Sequence, residues 1–182
     1  MTRPDPASGG RVGATVVPTA ADEPAQTPSV PIPPVASLYV VAAHVPRHET
    51  LAVGALGTVH LERGWYAYVG SARRGRGARV ARHRRTDKPL RWHADYLFAR
   101  HAASLAWTFD LAPAALGQPA ECLLAGALLG CESRARQGPP RFGASDCVCA
   151  GHLLWFPSRT ALLGAVTVVA RADWTRQAAP LP

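Results

Sequence analysis

Apolar positions along the chain fall into short blocks separated by glycine, proline and charge, and the spacing inside each block predicts its element. Residues 1–36 show no apolar periodicity, are rich in Pro, Ala, Thr, Gly and Ser, and end in PSVPIPPVA, so they read as a disordered arm with a polyproline-like end. Order is expected from Ser37, where SLYVVAA is a compact apolar run of strand type, and the Pro-containing stretch His44 to Thr50 turns the chain toward a hairpin partner. Leu51 to His60 is weakly strand-like, interrupted by Gly54 and Gly57, and Glu62-Arg63-Gly64 leads into a strand over Trp65 to Val69. Gly70-Ser71-Ala72 breaks that strand, and a basic helix is expected over 77–85. Pro89 closes the connection, and RWHADYLFAR predicts a second helix with His93, Tyr96, Leu97 and Arg100 on one face. Ser104 to Phe109 reads as another strand. Pro119 at a first helical position opens PAECLLAGALLG, apolar around most of its circumference and therefore a buried helix. A loop rich in Gly, Pro and Arg runs to Ala144, after which SDCVCAGHLLWF sets three metal-ligand side chains ahead of an apolar strand. The reading gives one ordered domain over 37–157. Ser158 to Pro182 is left as a C-terminal extension, open between a last helix or strand and a frayed tail.

Composition sharpens this outline. The chain has 182 residues, 48% of them apolar, which suits one domain with a real core. From Arg73 to Arg91 nine Lys/Arg stand against one acid, Asp87, so this window carries a formal charge equal to the +8 of the whole chain. The remaining residues balance, and the sequence pI near 10.2 favours a polyanion that meets this one region. The apolar runs are far short of a bilayer span, so no membrane partner is expected. The first 30 residues carry no continuous apolar segment of secretory type, and four cysteines without one are expected as reduced thiols in a cytoplasmic protein.

Candidate chemistry clusters in a few places. Arg79, Arg82 and His83 lie at i, i+3 and i+4, so on a helix they share a face and can converge on one phosphate, although a solvated charged face has the same pattern. Tyr39 and Tyr68 sit within strands. Glu121 falls in the first turn of the apolar helix, at the third helical position, where it interacts favourably with the helix terminus or serves as a metal ligand. A single carboxylate leaves most of an octahedral shell to water and phosphate oxygens, which suits Mg²⁺. Cys147, Cys149 and His152 form C-x-C-x2-H, with Cys122 available as a fourth ligand. That spacing departs from the common zinc motifs, so packed thiols are preferred here over zinc, and His152 is also a candidate for the main site.

The order Ser37-Leu38-Tyr39, then Tyr68-Val69-Gly70-Ser71, then Arg79 with His83 four residues on, then Glu121 opening a helix, resembles the GIY-YIG nuclease superfamily. The segments WYAYVGSA, RVARH, WHADYL, ECLLA and FGASDCVCAGHL are similar to the recurring blocks of its DUF123 branch, over about Ser37 to Phe156. Ser37 stands where the superfamily's first motif usually has glycine, a change that costs backbone freedom at most. The resemblance implies a small α/β (α+β) fold, with a three-stranded antiparallel central sheet flanked by helices, that cuts a phosphodiester with one divalent metal, Mg²⁺ or Mn²⁺. It implies Glu121 as the metal ligand, Arg79 as the arginine stabilising the phosphate, and Tyr39 and Tyr68 around the attacking water. His83 matches a less uniform position, and His93, opening the WHADYL helix, is a weaker candidate for phosphate contact or proton transfer. A tyrosine base would need a metal or Arg79 to lower its pKa from about 10. Arg73, Arg74, Arg76, Arg82, Arg84, Arg85 and His93 are the expected nucleic-acid contacts, with DNA preferred to RNA. DNA-repair proteins are implied as further partners, because this branch resembles domains joined to repair glycosylases. The alternative is a nucleic-acid-binding module that keeps the fold and does not cut.

Overall fold

The structure is a computed structural model describing residues 36–111 and 119–172. The expected arm lies outside those residues apart from Ala36, which opens strand β1, Ala36–Val45. Leu38 to Ala43 form an apolar run without alternation because both faces of β1 are covered, each of these residues being at most 2% exposed. One edge of β1 pairs with β4, Gly64–Ser71, and the other with β5, Leu105–Leu111, both antiparallel. The far edge of β4 takes β7, Leu153–Phe156, which in turn takes the two-residue β6, Arg136–Gln137.

The central sheet therefore has five antiparallel strands, in the order β5-β1-β4-β7-β6, where three had been expected. The difference arises at the free edges, because an exposed row of backbone donors and acceptors on β4 needs a partner and the apolar LLWF segment supplies it. Leu51 to His60 also departs from the single weak strand of the sequence reading. It splits into β2, Glu49–Val53, and β3, Gly57–Leu61, which pair with each other because both edges of β1 are already taken. A 3₁₀ turn over Gly54–Leu56 joins them, and Gly54 (φ 41°) and Gly57 (φ 71°) supply the left-handed backbone it requires.

Among the described residues four helices cover the sheet. Helix α1, Arg76–Arg84, begins one residue before the expected start, after Gly75 in a left-handed conformation at φ 69°. Helix α2, His93–Arg100, buries Ala94, Asp95, Leu97 and Phe98, so of the four residues spaced for one face only Leu97 is fully inside. In α3, Ala120–Gly130, Pro119 sits at the N-cap, one place earlier than expected, which makes Glu121 the second helical residue. Helix α4, Arg159–Arg171, settles the segment left open after Ser158: the Ser158 side chain accepts from the Ala161 amide at 3.1 Å, and residues 173–182 lie outside the described residues. Its Ala161, Leu162, Ala165, Val166 and Val169 join Leu38, Val40, Val69, Leu124 and Leu128 in one core, so this part of the extension belongs to the domain. On the opposite face Tyr39, Val41 and Val45 pack with Leu97 and Phe98 of α2 and with Val53 and Leu61 of the hairpin. Among the described residues no helix is long and apolar enough to cross a membrane.

Candidate functional site

Register places the two tyrosines. Val41 of β1 faces Tyr68 and Tyr39 faces Gly70, so the tyrosines are diagonal neighbours on one face, with ring centroids 6.5 Å apart. Gly70 is the space into which Tyr39 fits: a Cβ there would stand 2.5 Å from the ring. Gly143 does the same for Tyr68, again at 2.5 Å, while holding φ 74°. Four further elements converge on a pocket lined by these tyrosines. Arg79 comes from α1, Trp92 and His93 from the start of α2, Glu121 from the start of α3, and Ser145, Asp146 and His152 from the loop before β7.

Arg79 is held by donating from Nη1 to the Ser71 carbonyl at 3.1 Å, with its guanidinium 5.2 Å from the centre of the Trp92 ring. His83 does not join it on the pocket wall. It is fully buried behind Tyr39, with Nε2 3.2 Å from the tyrosine hydroxyl and Nδ1 without a partner. Burial, seconded by the nearby Lys88 charge, lowers its pKa to about 4, so the ring is neutral at pH 7. Burial raises the hydroxyls of both Tyr39 and Tyr68 above the ordinary tyrosine value, and the opposing pull of Arg79 does not overturn it. Both are therefore neutral hydroxyl groups in the protein as it stands. His93 Nδ1 accepts the Gly143 amide at 3.2 Å, and burial lowers the ring's pKa. Neutral His93 thus carries its proton on Nε2 and is a donor.

The expected trio of Arg79, Arg82 and His83 is dispersed by a residue the sequence reading passed over, Asp95. Its carboxylate is fully buried and accepts from Arg82 Nε at 3.0 Å and Nη2 at 2.8 Å, and from the amides of Arg91 and Trp92, each at 3.0 Å. Burial works against its ionisation, yet these donors hold the carboxyl below its usual range. Lys88 stands 3.9 Å away, buried, with its pKa lowered by that burial to about 8. The signal that could have revealed Asp95 is its place three residues after the helix N-cap, where an acid commonly satisfies free amides. Asp146 was also missed, because nothing local to its loop points inward. Arg76 is paired with Asp110 at 2.5 Å, and Arg85 donates to the Asp87 carbonyl at 3.1 Å. Arg73, Arg74, Arg84 and Arg91 are exposed, and their side chains make no hydrogen bond or ion pair among the described residues.

Beside the pocket, the ligand atoms of Cys122, Cys147, Cys149 and His152 all lie within 4.8 Å of one another. Cys122 and Cys149 are joined as a disulfide, with Cα atoms 6.2 Å apart, which corrects the expectation of four reduced thiols; Cys131 and Cys147 are free. The four are the group offered from sequence, and the approach of Cys122 to Cys147 across 25 residues is made by the packing of α3 against β4 and β7.

A family model described as "Domain of unknown function DUF123" matches residues 38–173. No curated protein and no solved structure matches the chain.

Proposed function

The chain belongs to the DUF123 family, and from that premise and the geometry of the pocket we propose a divalent-metal-dependent endonuclease that hydrolyses phosphodiester bonds of DNA. The resemblance of the blocks around Tyr39, Tyr68, Arg79 and Glu121 to GIY-YIG nucleases is one support. The observation that carries the reading is the convergence of those four side chains, from four different elements, on a single pocket. Phosphodiester hydrolysis needs a cation at the phosphate, a positioned water and a group to take its proton, and this wall offers each.

The carboxylates of Glu121 and Asp146 and the two tyrosine hydroxyls are hard oxygen donors, which fits Mg²⁺ or Mn²⁺. When bound, such a metal polarises the phosphoryl oxygen and acidifies the attacking water. Arg79, oriented by Ser71 and Trp92, binds a non-bridging phosphate oxygen and stabilises the charge that grows there. With both tyrosines protonated, their part is to hold the water in line by hydrogen bonds. For His83 we assign the tautomer protonated at Nε2, which leaves an unpaired acceptor at Nδ1 rather than an orphaned N–H. Nε2 then donates to the Tyr39 oxygen and turns the tyrosine's own hydrogen away, toward the pocket. His93 presents its Nε2 proton to the phosphate, and Asp146 is the exposed carboxylate available to receive the proton lost by water.

Glu121→Gln tests the reading. Glutamine preserves helix propensity and approximate size, so folding should change little, while cleavage of duplex, flapped, branched or single-stranded DNA with Mg²⁺ or Mn²⁺ should fall by orders of magnitude. Binding should survive. Cleavage at the parental rate would remove Glu121 from the chemistry, and a wild-type protein that binds all of these substrates and cuts none would leave the binding module.

A further inference from the structure

The cysteine cluster contains more than its disulfide requires. A Cys122–Cys149 bridge needs two side chains, yet a third sulfur and an imidazole nitrogen converge on the same point. Cys147 Sγ lies 3.7 Å from Cys122 Sγ, and His152 Nε2 lies 3.4 Å from Cys122 Sγ and 3.5 Å from Cys147 Sγ. These three spacings match one face of a coordination tetrahedron, and Cys149, bonded to Cys122, becomes the fourth corner only when that bond is opened. With Zn–S near 2.3 Å and Zn–N near 2.0–2.1 Å, the edges of such a tetrahedron are about 3.8 Å between sulfurs and about 3.5 Å between sulfur and nitrogen. The loop is shaped to that end: Val148 is fully exposed while Cys147 and Cys149 on either side turn inward. Arg141, in a left-handed conformation at φ 62°, ties the carbonyls of both cysteines together from Nη1. His152 is 4% exposed, and its imidazole N–H donates to the Gly143 backbone carbonyl, the kind of support that orients a ligating histidine.

We propose that, with the Cys122–Cys149 bond reduced, Cys122, Cys147, Cys149 and His152 hold one Zn²⁺ in a closed tetrahedral site. A dithiol supplies the two electrons and two protons that open the disulfide and is itself oxidised to a disulfide; each cysteine then releases its proton as its sulfur bonds the metal. Three thiolates and an imidazole select a soft or borderline cation, in contrast with the oxygen donors of the neighbouring pocket. Four protein ligands leave no open position, so the site is structural. It clamps the first turn of α3, which carries Glu121, to the loop that carries Ser145 and Asp146. The proposal is independent of nuclease activity.

The full chain, purified in a thiol reductant and dialysed against metal-free buffer, is analysed for bound zinc. Metal-free reduced protein is then titrated with Co²⁺ as a spectroscopic probe. One zinc per chain is expected, together with a Co²⁺ spectrum of tetrahedral, thiolate-rich coordination. Cys147→Ser leaves the disulfide pair untouched, so a disulfide alone predicts no effect, whereas the metal site predicts a loss of affinity of more than about 100-fold. Cys131→Ser should retain full binding. A folded, fully reduced protein that takes neither zinc nor cobalt overturns the proposal, as does an unchanged Co²⁺ spectrum in Cys147→Ser. Should that variant not fold, the wild-type Co²⁺ spectrum decides on its own.

Discussion

His83 is buried without becoming charged, and that makes stability depend on pH in a definite direction. Its pKa falls from the ordinary 6.5 to about 4 because burial, Lys88, Arg82 and Arg79 disfavour the cation, with Asp95 alone of the facing groups favouring it. Between those two values the unfolded chain binds a proton that the folded chain refuses. Stability from this residue is therefore fully present above about pH 6.5 and is lost as the pH falls toward 4, by up to about 3 kcal/mol. Denaturant unfolding measured at steps across that window should show the loss in wild type and a flatter profile in His83→Gln; equal slopes in the two proteins would contradict the assignment. Spacing placed His83 beside Arg79 on α1, and that much was legible, since i and i+4 share a face whatever surrounds them. Which part of that face is inside depends on Phe98, 5.1 Å away, and on Tyr39, and neither is local in sequence.

At the scale of elements, Asp95 holds α1, the connector through Pro89 and the start of α2 as one unit. Helix α1 buries only His83, so its own apolar packing is slight, and its position depends on Arg82 reaching Asp95 while also donating to the Pro89 carbonyl. Removing Asp95 leaves Arg82 and Lys88 without their counter-charge and two amides without an acceptor. Asp95→Ala should cost about 3–5 kcal/mol of unfolding free energy. Arg82→Met combined with Asp95→Leu should recover only the part owed to Arg82, because buried Lys88 and the amides of Arg91 and Trp92 still lack the carboxylate. A mild effect of Asp95→Ala alone would show that α1 is held by something else. The sequence did carry the strand–glycine–helix unit, because glycine and a change of period are local signals. It did not carry the partner of Asp95, since an acid in a helix looks solvated until the opposite wall is known. It read LLWF as a strand but did not carry that strand's place on β4, since the free edge of β4 is known only once β1 has paired, nor the two-residue β6.

Over the whole molecule, the basic window expected to meet a polyanion divides into cations already committed and cations still available. Arg82 and Arg76 are engaged by Asp95 and Asp110, Arg85 donates to the Asp87 carbonyl, and Lys88 is buried. Arg73, Arg74, Arg84 and Arg91 remain exposed, and Arg79 waits in the pocket. If those five meet phosphates, log K for duplex DNA should fall against log salt with a slope of about −4.5. The two groups should also separate by mutation. Neutralising Arg73 and Arg74 removes two contacts and should lower the slope magnitude by about 2, weakening all sequences alike, because phosphate contacts position without reading bases. Neutralising Arg76 should change the slope little, since its guanidinium is already paired and would have to leave Asp110 to reach DNA. Binding isotherms over a range of salt concentrations give all three slopes. A wild-type slope near zero would remove nucleic acid as the partner, and an Arg76 effect as large as that of Arg73 and Arg74 together would mean that the Asp110 pair opens on binding.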